Sequence, residues 1–220
     1  MKRTAVYLSF LLAAVCFASP AGTESEQVVV SNVQGSPMIL RSGQSMPATA
    51  GMACQKYDVL KTTEGCVVDI SVNNLAGCRI LPSSECAIME TKEESMHLKI
   101  KNGNAVFHVG KLGAKSSFKV ETPTAIAAVR GTQFWGRVDL QRSYANQMVA
   151  GTVVINPVTT FAVREGVVEI HPKPIGEKFT LQPGQALDIP KDVSVSPSIR
   201  PALTEEMQAM EQASTIKTAA

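Results

Sequence analysis

Large aromatic rings are scarce in this chain of 220 residues, which has seven phenylalanines, three tyrosines and a single tryptophan, Trp135. Scarce rings, combined with many short alternating runs, point to a roll, solenoid or sandwich. A charge excess is missing as well. The 21 basic side chains outnumber the 19 acidic ones only through Lys2 and Arg3 at the extreme N-terminus. The remainder is balanced, which leaves no counterion-release term and speaks against nucleic acid as a partner. No second apolar run follows the one beginning at Ala5, so no membrane span is expected in the mature protein.

Motifs that carry chemistry are also wanting. There is no GxSxG elbow and no HExxH or CxxC spacing, and Gly110-Lys-Leu-Gly113 lacks the GK[ST] ending of a phosphate loop. His97, His108 and His171 are scattered through strand-like runs, so no metal site or cofactor is expected. Asp58, Asp69 and Asp139 form no recognisable acid/base pair, which makes a carbohydrate-active enzyme the least supported reading. A non-enzyme is expected.

What is present begins with an export signal. Lys2 and Arg3 precede the apolar run Ala5 to Ala18, and Ser19-Pro-Ala21 supplies small residues for cleavage. The run is shorter than the roughly 20 residues of a membrane helix. Residues 1–21 therefore read as a signal peptide, and the mature protein as periplasmic or secreted. Cys16 leaves with the signal. Cys54, Cys66, Cys78 and Cys86 remain, in a compartment where disulfides persist, and two disulfides are expected. Three connectivities are open. Folding Cys66–Leu81 as a hairpin about Leu75 sets Cys66 opposite residues 84–86, which favours Cys66–Cys86 and leaves Cys54–Cys78.

Between residues 28 and 195 alternating runs recur at intervals of about 8 to 12 residues, the punctuation of an all-β domain. Glu64-Gly65, Asn102-Gly103 and Glu165-Gly166 each precede an apolar strand and read as tight turns. Residues 196–220 form a Pro-rich linker and a short helical tail, with Thr204 as a candidate N-cap and Leu203, Met207 and Met210 on one face. The expectation is one all-β domain with a short C-terminal helix.

The segment Thr122–Asp139 is the most demanding stretch. Ala125, Ala127 and Val129 share a face of little volume, then Arg130-Gly131-Thr132 turns a structural corner. Beyond it Phe134, Gly136, Val138 and Leu140 make a core face, and Gln133, Trp135, Arg137 and Asp139 the opposite one. Arg130 holds the corner by donating to backbone carbonyls. Two readings of the polar face stay open: Trp135, Gln133 and Arg137 contact a partner, or the C-terminal helix covers Trp135.

These residues resemble the FecR domain. The family's strand-TP-xAxVRGTxFxV element is matched by Val120-Glu-Thr-Pro-Thr-Ala-Ile-Ala-Ala-Val-Arg-Gly-Thr-Gln-Phe-Trp-Gly-Arg-Val-Asp139. Its EG strand is matched by Phe161-Ala-Val-Arg-Glu-Gly-Val-Val-Glu-Ile170 and its closing GQ step by Leu181-Gln-Pro-Gly-Gln-Ala-Leu-Asp-Ile189. Gly35 to Gly43 and Leu98 to Val109 meet the upstream elements, so the resemblance spans about residues 28–190. It implies an all-β exported module that binds and transmits, recognising an envelope protein or glycan without catalytic residues. A structural envelope component that self-associates is the alternative. The chain departs from the family's transmembrane regulators in having only about 20 residues ahead of the module, so direct control of a sigma factor is not expected.

Overall fold

The computed structural model describes residues 28–72, 76–92, 95–113, 116–144, 153–173, 175–192 and 194–213. The expected signal peptide, the hairpin apex at Leu75 and residues 214–220 of the tail lie outside the described residues. In chain order the strands are β1 (Val28–Gln34), β2 (Met38–Arg41), β3 (Gln44–Pro47), β4 (Val59–Lys61), β5 (Val67–Val72), β6 (Ala76–Ile80), β7 (Glu85–Lys92) and β8 (Ser95–Val109). They continue with β9 (Ser117–Glu121), β10 (Ala125–Val129), β11 (Thr132–Tyr144), β12 (Val153–Glu165), β13 (Val168–Pro172), β14 (Phe179–Leu181), β15 (Gln185–Pro190) and β16 (Ser198–Pro201). One helix, α1 (Thr204–Gln212), follows. The expected all-β class with a short C-terminal helix is the one observed.

Two sheets share the long strand β8. The first runs β1-β5-β6-β8-β11-β12-β15-β16, pairing with the C-terminal half of β8. The second runs β3-β2-β4-β7-β8-β9-β10-β13-β14 and uses the N-terminal half. All these pairings are antiparallel except β8 with β9. Asn102-Gly103 is therefore not the hairpin turn its sequence suggests. It is a bend inside β8, where the strand passes from one sheet to the other, and Ser84 Oγ accepts from Asn104 N there at 2.8 Å.

The sheets enclose one core. Met96, Leu98 and Ile100 point inward before the bend and Ala105, Phe107 and Val109 after it, so inward parity switches where the strand changes sheets. Phe107 stacks on Phe134 with centroids 4.8 Å apart and meets Phe118 of the opposite sheet edge-on at 6.2 Å. Phe161 completes the cluster 6.5 Å from Phe134. The few aromatic rings thus concentrate in one layer, and β-branched and small residues fill the rest.

A second departure concerns sulfur. All four described cysteines are free, buried thiols instead of the two disulfides expected from compartment and spacing. Each lies in separate surroundings, two on strands and two in loops. Cys78 on β6 lies opposite Phe107, Cys86 on β7 opposite Ile100, and Cys66 Sγ is contacted by Ser36 N at 3.3 Å and Thr63 Oγ1 at 3.2 Å. Burial pushes the Cys54 and Cys86 thiols up to about 12 and Cys78 well up too, whereas the Thr63 contact and then Ser36 N lower Cys66.

Candidate recognition site

The corner is built from two glycines in contact. Gly131 (φ +71°) and Gly166 (φ +78°) both take the left-handed backbone, and a Cβ on Gly166 would lie 2.3 Å from the Gly131 carbonyl oxygen. Arg130, exposed, donates from Nε to the Leu112 carbonyl at 3.0 Å. Thr132 and Gln133 are buried directly beyond. Behind the corner, the Thr122 and Thr124 hydroxyls flank Pro123 and join Thr159 at 2.9 and 2.6 Å, deep between the sheets.

Past the corner β11 splits its residues as strand geometry requires. Phe134 and Val138 are fully buried, and Gly136 sits against Ile100 and Phe161. Leu140, expected on the same core face, is 41 % exposed. The reason is that β11 has left the sandwich by then. Its pairing with β8 ends at Val138, so residues 139–144 pair only with 153–158 of β12.

The outer face carries the feature that sequence could not assemble. One cross-strand row traverses the whole first sheet: Asn32, Asp69, Arg79, Val106, Trp135, Ala162, Ala186, Arg200. Its four apolar residues, Val106, Trp135, Ala162 and Ala186, form a trough, and small alanines keep its floor low on the β12–β15 side. α1 lies in the trough. Met210 and Ala213 are fully buried there against Val106, Trp135, Ala162 and Ala186, with Met207 and Ala209 partly buried. Trp135 is only 5 % exposed and Gln133 3 %, so the tryptophan is covered by the tail and Gln133 Nε2 donates to the Met210 carbonyl at 2.8 Å. Arg137, paired with Asp139 at 2.8 Å, remains open at the rim. Of the three expected contact residues, only Arg137 faces solvent.

Charged groups fix both ends of the helix. Arg79 grips Asp69 through two bonds of 2.7 Å and donates from Nη1 to the Gln212 carbonyl at 2.7 Å, placing a cation at the helix C-terminus. At the other end Arg200 binds Asp188 and Glu206, each at 2.6 Å, and Glu206 also accepts from Leu203 N at 2.7 Å. The Glu206 and Asp188 contacts, in that order, raise the Arg200 guanidinium pKa. Burial works against the Asp188 charge, but Arg200 and then Thr160 outweigh it and hold that carboxyl below its ordinary range. The helix face differs in detail from expectation. Leu203 is 48 % exposed and stands at the N-cap, where Thr204 was expected, because Glu206 closes the first turn. Arg79, Arg200, Ala162 and Ala186 were missed by sequence reasoning. The available signal was parity: an alanine alternating with Phe161 and Val163 implies an outward face with something laid over it.

The three candidate acids are each held by an arginine: Asp58 by Arg41 at 2.6 Å, Asp69 by Arg79 and Asp139 by Arg137. These are ion pairs that fasten strands and loops. The Arg41–Asp58 pair lines an open cleft of about 400 Å³ beside Tyr57, on the opposite sheet.

A family model described as FecR protein matches residues 58–169. The chain belongs to the FecR family. The matched span runs from just before β4 into β13, so it includes the RGT and EG corner, while β16 and α1 lie beyond it. Two solved structures of a "putative anti-sigma factor" from Parabacteroides distasonis ATCC 8503 share the fold, with a TM-score of 0.52 and 15% identity. The similarity covers 70% of this chain and 64% of that one, so this FecR chain spans under two thirds of that protein's length. No curated protein matches the chain.

Proposed function

We propose that this FecR protein is an exported, non-catalytic regulatory module that binds a protein partner of the cell envelope on the outer face of its first sheet. Membership of the FecR family carries this reading, and the likeness to a protein described as an anti-sigma factor supports a regulatory role. The geometry supplies Arg137 at the open rim, beside a tryptophan-centred apolar trough that α1 covers and that arginines bound at both ends. Aromatic residues and arginine are the side chains that anchor protein interfaces. The domain is proposed to span residues 28–195, with residues 196–220 as a functional tail and residues 1–21 removed on export. The experiment is site-directed photocrosslinking in cells. p-Benzoylphenylalanine at position 137 captures a discrete envelope protein, and the same residue at position 119, exposed on the opposite sheet, does not. Identical products from both positions overturn the reading.

A second reading, lateral self-association, draws on the β11–β12 ribbon. Leu140 and Ile155 are 41 % and 49 % exposed there, and no charged residue occurs between Arg142 and Arg164. Uncharged strands with open edges are templates for pairing with another chain. Sedimentation velocity decides: a monomer at every concentration removes this reading.

A further inference from the structure

We propose that the trough under α1 is a docking seat for a helix of the partner protein, and that α1 is its resident occupant, displaced when the partner binds. The inference deepens the binding function proposed above by naming the partner's chemistry and the element that moves.

The seat is built to hold a helix of one polarity. Its floor is Val106, Trp135, Ala162 and Ala186. At one end Arg79 and Gln133 donate to backbone carbonyls at the C-terminal end of the helix, at 2.7 and 2.8 Å. Carbonyls are what the last turn of any helix offers, because they have no partner inside it. Arg79 and Gln133 therefore recognise a helix end as such, irrespective of the side chains that α1 carries. At the other end Arg200 takes a carboxylate from the first turn.

The present occupant fits this seat incompletely. The indole Nε1 of Trp135 is buried without a hydrogen-bond partner, in a side chain that is itself only 5 % exposed. A buried donor left unpaired is costly, and the apolar side chains that α1 packs around the indole, Met and Ala, offer it no acceptor. A tethered helix competes at an effective concentration on the order of millimolar, so a helix arriving in trans prevails only through contacts that α1 lacks. The indole N–H is such a contact. The preferred partner segment is an amphipathic helix with an acidic first turn, a stripe of small or flexible apolar residues, and one acceptor side chain reaching Trp135 Nε1.

The test uses the full mature chain, with Trp135 as its own reporter because it is the only tryptophan. Met210→Asp places a carboxylate where α1 meets the floor, and Glu206→Ala removes the Arg200 contact while leaving the floor intact. A labelled peptide with the sequence of residues 198–213 is titrated against wild type and both variants by fluorescence anisotropy. Both variants are expected to show red-shifted Trp135 emission, to bind the peptide about tenfold or more tightly than wild type, and to regain buried emission on saturation. Adding Arg79→Ala to either variant reduces that binding. Among peptides carrying glutamine at position 209, 210 or 213, one binds about tenfold more tightly than the unmodified peptide.

Variants that stay folded and expose Trp135 yet bind no peptide overturn the seat. Trp135 remaining buried in both variants, or both failing to fold, shows α1 to be a fixed part of the core and overturns it equally. If no glutamine peptide gains affinity, the acceptor requirement falls. These failures are separate from that of the binding reading. A seat that takes peptide while position 137 captures no envelope protein leaves the helix seat intact and sinks the partner.

Discussion

Gly166 should be the least replaceable glycine of the corner, ahead of Gly131, the one that the sequence singles out. Both adopt left-handed φ, and an alanine in that region costs about 1–2 kcal/mol. The difference is steric. A Cβ on Gly131 finds Lys111 no closer than 3.5 Å, an ordinary contact, so only the conformational cost remains. Restricting the unfolded chain returns about 0.4–1 kcal/mol of it, leaving Gly131→Ala close to 1 kcal/mol or less. A Cβ on Gly166 meets the Gly131 oxygen at 2.3 Å and the Thr132 Cγ2 at 2.8 Å. The first is backbone of the turn between β10 and β11, which moves only by disturbing the corner. Overpacking of that kind adds about 1–3 kcal/mol, so Gly166→Ala is expected to lose about 3 kcal/mol. For a chain of this size each kcal/mol shifts Tm by about 2–4 °C, so the two alanine variants should melt roughly 4–8 °C apart. Thermal unfolding followed by near-ultraviolet circular dichroism measures this. Equal melting temperatures, or a lower one for Gly131→Ala, would refute the idea that the two turns lock by backbone contact.

Thr159→Val removes the central hydroxyl of the buried Thr122–Thr159–Thr124 chain but leaves Thr122 on Ala125 and Thr124 on the Ile189 carbonyl, so the cost is about 0.5–1.5 kcal/mol in chemical denaturation; an unchanged midpoint would show that the chain contributes nothing. Glu121 faces an opposing burial effect, but bonds from Lys173 and Lys99 bring its carboxyl down to about 2. Its folded value lies below the unfolded one, so its contribution is complete above about pH 4.5 and fades as pH falls toward 2. Glu121→Gln should therefore destabilise the protein at neutral pH and match wild type near pH 2, and a constant difference across that window would contradict the assignment. Cys66, the one thiol among the described residues that its hydrogen bonds lower, should be alkylated first in the native mature protein, with Cys54, Cys78 and Cys86 protected until unfolding; mass spectrometry after timed iodoacetamide treatment reads the order.

The local pattern in this chain was largely legible, and the assembly was not. Alternation placed Phe134 and Val138 inside and Arg137 outside, because strand parity depends only on backbone geometry. It failed at Leu140, whose parity is right but whose strand has outrun its neighbour. Asn102-Gly103 misled for a related reason. A glycine with left-handed φ serves a hairpin and a bend inside a strand equally well, and only the pairing partners on either side tell them apart. The outer row was invisible because its members lie on eight strands, from residue 32 to residue 200, and no local spacing links them. The cysteine expectation rested on compartment and spacing, neither of which reports which face each sulfur occupies.

Arg200 determines how far the tail would move. It is bound on both sides, to Asp188 on β15 and to Glu206 on α1, and β16 itself adds four residue pairs to the edge of β15. Losing α1 removes one carboxylate partner but leaves Arg200 on Asp188, so the guanidinium is not stranded and β16 keeps its place. The Ala202 N–H, held by the Gly184 carbonyl at 2.8 Å, then marks the limit of the fixed chain. Displacement is thereby confined to the residues after 202, and the edge of β15 stays covered while the face beside it opens. A protein that exposed both at once would present an unpaired strand edge next to a bare tryptophan, a template for aggregation. Keeping the edge sealed by β16 and the face covered by a separate helix would let this chain uncover the proposed recognition surface without that hazard. Arg200→Ala tests the division: it should raise both the exposure of Trp135 and the hydrogen exchange of β15 amides, whereas Glu206→Ala raises the first alone. Equal exchange at β15 in the two variants would mean that strand and helix leave together.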